Sequence, residues 1–228
     1  DTLVKLYGRW DKASDIDWDR LPNQFVLKVN NGCGDILICR DKDKLDKATV
    51  IDTYDRLVSI KYGDVTGEPH YARIQPCVIA EELLDINKQS INTSSLIDYK
   101  VWCLNGKPYC IWCAWNRGKE GADTGVYDLD WNYHPEWSVF TEHYRQGKEI
   151  LPKPKCFERM LEVASKLSEE FPILRVDLYE VNEKIYFGEL TFTSLGGFMD
   201  YLTSEILLDM GSKVRINEIS EEYVHVKC

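Results

Sequence analysis

No stretch of this chain is apolar over the roughly 20 residues that a membrane span requires, so no spanning helix is expected. The opening residues, Asp1-Thr2-Leu3-Val4-Lys5, have neither the basic start nor the apolar run of a secretory signal. The expected location is the cytoplasm. Basic residues are in deficit, 28 Lys and Arg against 38 Asp and Glu, and the resulting net charge of −10 opposes non-specific binding to a phosphate backbone. Nucleic acid is therefore not the expected partner. A second Cys-x-x-Cys pair is missing, and none of His70, His134, His143 and His225 stands at zinc-ligand spacing from the pair that exists. Internal repeats, low-complexity tracts and linkers are absent as well, which leaves hydrophobic periodicity as the guide.

What is present suits a soluble globular protein. At 228 residues and 44% hydrophobic content the chain can bury a core without covalent staples. Its eight cysteines are read as reduced cytosolic thiols, because a chain of this size without an export signal has no need of a disulfide framework. Cys110 and Cys113 lie within the apolar run Tyr109-Cys-Ile-Trp-Cys-Ala-Trp115 and are read as core thiols on a strand.

Phe25–Val29 reads as a strand, Asn30-Asn-Gly-Cys-Gly-Asp35 as a turn, and Ile36–Cys39 as the returning strand of a glycine-tipped hairpin. Apolar residues at the 3.6 period predict an amphipathic helix from Lys44 to about Ile60. Cys77–Leu84 suits a buried strand, yet it carries Glu81 and Glu82, and a buried strand needs a reason for two acids. Strands are expected at Tyr99–Leu104 and Tyr109–Trp115 around the turn Asn105-Gly106-Lys107-Pro108. Asn116–Gly147 is polar and rich in Trp, Tyr and Gly, and is expected to be an ordered loop region with little regular structure. The aromatic residues of the region Trp112–Trp137 are either stacking surfaces for a sugar or anchors that pin the loop to the core. A helix over about Lys155–Glu170, strands at Ile173–Tyr179 and Lys184–Phe192, and a helix over Tyr201–Met210 complete the reading. Hairpins dominate, which predicts an α+β fold with largely antiparallel sheets.

The chemistry concentrates in the hairpin from Arg175 to Thr193. Period-2 alternation puts Arg175 and Asp177 on one face of its first strand, and Glu189, Thr191 and Thr193 on one face of its second. A three-residue turn, Asn182-Glu183-Lys184, would set Asp177 opposite Glu189 and Arg175 opposite Thr191; a two-residue turn would set Asp177 opposite Gly188. The three-residue register is preferred because it gathers Val176, Leu178, Leu190 and Phe192 on the apolar face. Two carboxylates so opposed have Cβ atoms roughly 5 Å apart and call for a cation between them. All-oxygen ligands favour Mg²⁺ or Mn²⁺ over zinc; the alternative is two solvated acids on an edge hairpin. In the first hairpin, Gly32 and Gly34 leave backbone N–H groups approachable by a phosphate, and Lys28 either snorkels to solvent or supplies a point charge to that phosphate. The loop lacks the lysine–serine spacing of a Walker motif.

Lys28 before a glycine loop, the Glu81-Glu82-Leu-Leu84 strand, and Arg175-Val-Asp177 followed by Glu189-x-Thr191 together resemble an ATP-grasp enzyme. More closely, Gln24–Gly34, Asp98–Lys107, Tyr127–Asn132 and Arg175–Thr193 are similar to the TupA-like ATP-grasp family, which is associated with teichuronopeptide and other surface-polysaccharide biosynthesis in bacteria. The resemblance spans nearly the whole chain. It implies the two-lobed ATP-grasp fold, with ATP held between a lid lobe over residues 1–84, comprising the glycine-tipped hairpin, a helix and the adenine-hinge strand, and a C-terminal lobe over 85–228 with the metal-binding hairpin. By the same resemblance Lys28 touches the α- and β-phosphates, the Gly32–Gly34 loop closes over them, and Glu81, Glu82 and Leu84 form the hinge against the base and ribose. Asp177, Glu189 and Thr191 would hold Mg²⁺ (or Mn²⁺), while Arg175, Lys100 and Arg117 neutralise charge on the transferred phosphoryl group or bind a carboxylate substrate.

Two departures stand out. Many ATP-grasp enzymes end the metal motif in Glu-x-Asn where this chain has Glu189-x-Thr191, which makes the third ligand a hydroxyl or removes it. The turn reads Asn31-Gly-Cys-Gly34 where close relatives are expected to show a histidine and a serine. The N-terminal domain that ATP-grasp ligases normally carry is expected to be missing or reduced. The implied activity is an ATP- and Mg-dependent carboxylate–amine ligase that forms an amide through an acyl phosphate, joining an amino acid to a uronate-containing polysaccharide or precursor. The alternatives are an ATP-grasp kinase acting on a sugar or other hydroxyl, and a non-catalytic nucleotide-binding module. Expected partners are ATP, a small-molecule amino acid and sugar or uronate acceptor, and a partner domain or enzyme of a polysaccharide pathway.

Overall fold

A computed structural model of the chain describes residues 2–32, 34–63 and 67–216. They form two compact units, Leu3–Leu84 and the chain from Asp85 onward.

The first unit contains strands β1 (Leu6–Trp10), β2 (Phe25–Val29), β3 (Ile36–Cys39) and β4 (Val78–Glu81) and helix α1 (Lys47–Val58). The sheet order is β1-β4-β2-β3 and every pair is antiparallel. Alternation sorts its faces: Phe25, Leu27, Val78 and Ala80 enter a core completed by Val50, Tyr54 and Leu57 of α1. The other face carries Val26, Lys28, Ile36, Ile38, Ile79 and Glu81. Helix α1 starts later than its periodicity predicts because Asp46 caps it, accepting from the Thr49 amide at 3.2 Å and the Thr49 hydroxyl at 2.7 Å. Strand β1 has no clean alternation and is not foreseen in the sequence; it forms because β4 offers it a free edge.

The second unit holds β5 (Asp98–Leu104), β6 (Lys107–Gly118), β7 (Gly121–Tyr127), β8 (Tyr144–Gln146), β9 (Ile173–Val181) and β10 (Lys184–Thr191), with helices α2 (Phe157–Ser168) and α3 (Ser204–Lys213). Its sheet order is β10-β9-β5-β6-β7-β8, antiparallel except for the β7–β8 pair. One face packs Tyr99, Val101, Ile111, Cys113, Val176 and Leu178 against Phe157, Met160 and Ala164 of α2. The opposite face packs Trp102, Cys110, Trp112 and Val126 against Tyr201, Leu202 and α3 residues Ile206 and Met210. Cys110 and Cys113 therefore sit in different cores, and burial pushes both thiols up. No helix among the described residues is long and apolar enough to cross a membrane.

The segment expected to be loop, 116–147, supplies β7 and β8. Gly121 and Gly125, in a strand with two polar residues, hide β7 from a periodicity reading, and neighbouring β6 decides its conformation. The aromatic residues of Trp112–Trp137 mostly serve the core: Trp112 is buried between Tyr144 and Tyr201, with centroids 5.4 and 4.7 Å away. Trp131 stacks on Tyr127 at 4.4 Å while its indole N–H donates to the Leu151 carbonyl. Buried Glu180 on β9 accepts from the Cys156 amide at 2.7 Å and the Lys155 amide at 3.4 Å, ahead of α2. The half-buried Cys156 donates its thiol to the Glu183 carbonyl.

Candidate active site

The β9–β10 hairpin sets the geometry. Its turn is the two residues Asn182 and Glu183, both left-handed at φ 55° and 57°, so Val181 pairs with Lys184 and the three-residue turn expected from the sequence is corrected. The register nevertheless changes partway along. A β-bulge between Phe187 and Glu189 inserts Gly188 as an extra residue, and beyond it Glu189 lies opposite Asp177 and Thr191 opposite Arg175. The bulge supplies the one residue of offset that the shorter turn does not, which is how a two-residue turn still opposes the two carboxylates.

On the adjoining strand Lys100 pairs with Asp177 and Trp102 with Arg175. The Lys100 ammonium contacts Asp177 directly and lies 3.6 Å from Oδ2 of Asp98. Arg175 Nε and Nη2 grip the two oxygens of Asp177 at 2.7 and 2.9 Å, and the same Nη2 reaches Thr191 Oγ1 at 2.9 Å and Glu189 Oε1 at 3.3 Å. Nη1 donates to Ser194 Oγ, which shares a hydrogen bond with the Tyr201 hydroxyl. Arg117 pairs with Asp98 at 2.8 Å, and the Tyr179 hydroxyl also bonds Asp98. The result is a charge ladder, Arg117–Asp98–Lys100–Asp177–Arg175–Glu189, with alternating sign across β6, β5, β9 and β10.

Burial grades its members. Asp98, Lys100, Arg175 and Asp177 are buried, whereas the side chains of Arg117 and Glu189 are 47% and 50% exposed. Burial would raise Asp177, but Lys100 and then Arg175 outweigh it and hold the carboxyl below its usual range. Burial likewise opposes the Arg175 charge, and Asp177 more than restores it. The negative charge of Asp98, with burial second, drives the Tyr179 phenol up.

The residues named from the sequence fall into two groups. Arg175, Lys100, Arg117, Asp177, Glu189 and Thr191 come together in the second unit. In the first unit, Lys28 forms an ion pair with Glu81 at 2.7 Å on the open sheet face, beside Ile36 and Ile38, which are 57% and 53% exposed. Gly34 takes φ +88°, a conformation that favours glycine; Cys33 lies outside the described residues. The Tyr54 hydroxyl steadies this hairpin through the Leu27 carbonyl at 2.8 Å. Strand β4 ends at Glu81, shorter than the sequence predicts; Glu82 follows it and donates its amide to the Lys5 carbonyl, and Leu84 is buried. Asp98, Tyr179, Ser194 and Tyr201 are missed by the sequence reading. Asp98 alone leaves a signal there, because Asp98-x-Lys100 repeats in opposite order the one-face pattern of Arg175-x-Asp177.

The donor set suits a hard cation. Asp177, Glu189 and Thr191 offer oxygen only, and two carboxylates suffice for a magnesium ion that keeps several waters and takes other ligands from phosphates. Among the described residues no group of three or more His, Cys, Asp and Glu converges as a metal cage. Two of the chain's own cations already lie against Asp177, as opposed carboxylates require.

The family model for TupA-like ATPgrasp matches residues 3–215. The chain belongs to the TupA-like ATPgrasp family. Its fold is ATP-grasp, as likeness to a solved D-alanine–D-alanine ligase from Bacillus anthracis also indicates, at 16% identity and TM-score 0.51 over 93% of this chain and 62% of the ligase. The same ligase complexed with ATP aligns at 14% identity and TM-score 0.44 over 83% of this chain and 49% of that one. ATP-grasp ligase PsnB, complexed with a phosphomimetic variant of its minimal precursor, Mg and ADP, aligns at 12% identity and TM-score 0.45, covering 94% and 54%. This TupA-like chain thus spans about half to three fifths of the solved structures it matches. No curated protein matches it significantly.

Proposed function

We propose that this protein is an ATP- and Mg²⁺-dependent carboxylate–amine ligase. The observation that carries the reading is the opposition of Asp177 and Glu189 across the bulged hairpin, with Lys100 and Arg175 against them, in a chain of ATP-grasp fold. In the reaction a carboxylate oxygen attacks the γ-phosphorus of ATP, ADP leaves, and an amine then attacks the acyl phosphate and expels inorganic phosphate. No covalent enzyme intermediate is needed, so the protein's work is positioning and charge neutralisation. Asp177 and Glu189, with the Thr191 hydroxyl, would hold Mg²⁺, which when bound neutralises phosphate charge. Arg117 is the half-exposed cation of the ladder and has guanidinium surface to offer a phosphoryl or carboxylate group. Arg175 spends its donors on Asp177, Glu189, Thr191 and Ser194, so it orients those groups.

In the first unit, the exposed Ile36 and Ile38 give an apolar platform for a base, and Lys28 on the same face is available to phosphates. Gly32 and Gly34 form the phosphate loop, and Glu81, Glu82 and Leu84 the hinge. The acceptor class we infer is a uronate-containing polysaccharide or its precursor, joined to an amino acid, in a cytoplasmic pathway of the kind the family's association with teichuronopeptide suggests.

The test is a screen for ATP-dependent phosphate release with amino acids paired with uronic acids and nucleotide sugars. Amide formation with stoichiometric phosphate is expected, and Glu189→Gln should lower turnover at least a hundredfold, about 2.7 kcal/mol of transition-state stabilisation. Unchanged turnover in Glu189→Gln would overturn the metal assignment. A stable phosphorylated product without amide would replace the ligase by a kinase.

A further inference from the structure

The Lys100 ammonium lies between two buried carboxylates that differ in what else holds them. Asp177 is the one assigned to the metal, and Arg175 already grips both of its oxygens. Asp98 is held by Arg117, 2.8 Å from its Oδ2, and by the Tyr179 hydroxyl, and the same Oδ2 is already 3.6 Å from the Lys100 ammonium. Counted along the ladder, Lys100, Arg117 and Arg175 balance Asp98, Asp177 and Glu189, three charges of each sign. A divalent cation entering alone would leave two uncompensated positive charges next to a buried ammonium and a buried guanidinium. Low exposure makes that repulsion strong, because little water is left to screen it.

We propose that Lys100 is an exchangeable counter-ion of Asp177, held between Asp177 and Asp98, so that a divalent cation enters only together with an anionic phosphate group that takes up the displaced ammonium. This rests on the metal reading above and adds an order to it. Asp98 is then a positioning residue: Arg117 and Tyr179 keep it in place, and it keeps the ammonium within reach after Asp177 has let it go. Surplus positive charge appears at Lys100 when the metal arrives, and an anionic phosphate group would compensate it.

Mn²⁺ binding to the full chain, followed through the signal of free Mn²⁺ by electron paramagnetic resonance, reads this without any turnover. Lys100→Met should bind Mn²⁺ alone at least tenfold more tightly than wild type, because a competing cation has gone. The same variant should bind Mn²⁺–ADP, measured by calorimetry, at least tenfold more weakly. Lys100→Gln should move both affinities in the same directions and serves if the methionine variant does not fold. Arg117→Gln removes an equal charge beyond Asp98 and should leave the affinity for Mn²⁺ alone within about threefold. Lys100 variants that bind Mn²⁺ no more tightly than wild type would overturn the exchange, as would an Arg117→Gln variant that tightens equally. Wild-type protein that takes up neither Mn²⁺ nor Mn²⁺–ADP, or Mn²⁺ uptake that survives Glu189→Gln, would instead sink the metal reading and the proposal with it.

Discussion

Replacing Gly188 by alanine asks whether the bulge aligns Asp177 with Glu189. A Cβ at position 188 would stand 3.0 Å from the Asp177 carbonyl oxygen and 3.0 Å from Cε2 of the Tyr179 ring. Neither neighbour can retreat cheaply: the carbonyl belongs to the central part of β9, and the ring is fastened through its hydroxyl to Asp98. Each contact must open by a few tenths of an ångström, and crowding of this kind costs about 1–3 kcal/mol. For a chain of this size each kcal/mol lowers the melting temperature by about 2–4 °C, so a fall of about 4–8 °C is the central expectation. The assay is thermal unfolding followed by near-ultraviolet circular dichroism, which the tryptophans around the second sheet make sensitive. Loss of the bulge would also slide Glu189 to the apolar face, since a one-residue slip inverts every side chain beyond it. A Gly188→Ala protein that melts with the wild type and keeps its Mn²⁺ affinity would refute this account of the register.

Gly211, on α3, has open space for 4 Å around the place a Cβ would take and no positive φ, so Gly211→Ala should raise stability by about 0.5–1 kcal/mol in a urea titration. Glu180→Ala removes a buried acceptor from the Lys155 and Cys156 amides and should cost about 2 kcal/mol, read as a lower urea midpoint. His134 is opposed by burial but raised overall from 6.5 by Glu136 and Asp128, at 2.7 and 3.2 Å from its two ring nitrogens. Its folded value exceeds its unfolded one, so its contribution is complete below about pH 6.5 and disappears as pH rises through the folded value. The melting-temperature gap between wild type and His134→Gln should accordingly be wider near pH 5.5 than near pH 9; an equal gap at both would remove the ionic role.

Legibility in the sequence followed the range of the forces involved. Helices α1 and α2 and the hairpins β2–β3, β5–β6 and β9–β10 were readable because side-chain periodicity and turn residues are local. Strands β1 and β8 were not, since each depends on an edge offered by a strand outside its own hairpin; β7 is the hairpin partner of β6 but is masked by its glycines and polar residues. The pairing of Asp177 with Glu189 was reached through the wrong turn: apolar parity demanded one residue of offset, and the sequence does not announce whether a turn or a bulge provides it. Asp98 and Tyr179 escaped notice because their importance comes from a third strand, β5, lying beside β9. Alternation assigns a residue to a face, but only the sheet order says which faces adjoin.

The thiol of Cys156 reaches across to the carbonyl of Glu183, within the tight turn that starts β10. Cys39, Cys77, Cys103, Cys110 and Cys113 are buried, so among the described cysteines this is the one a labelling reagent meets first. With Cys33 and Cys228 replaced by serine, a fluorophore placed there would watch the hairpin from its closed end. Occupancy at the carboxylates could then be followed as a change in light emission, with no acceptor needed in the cuvette.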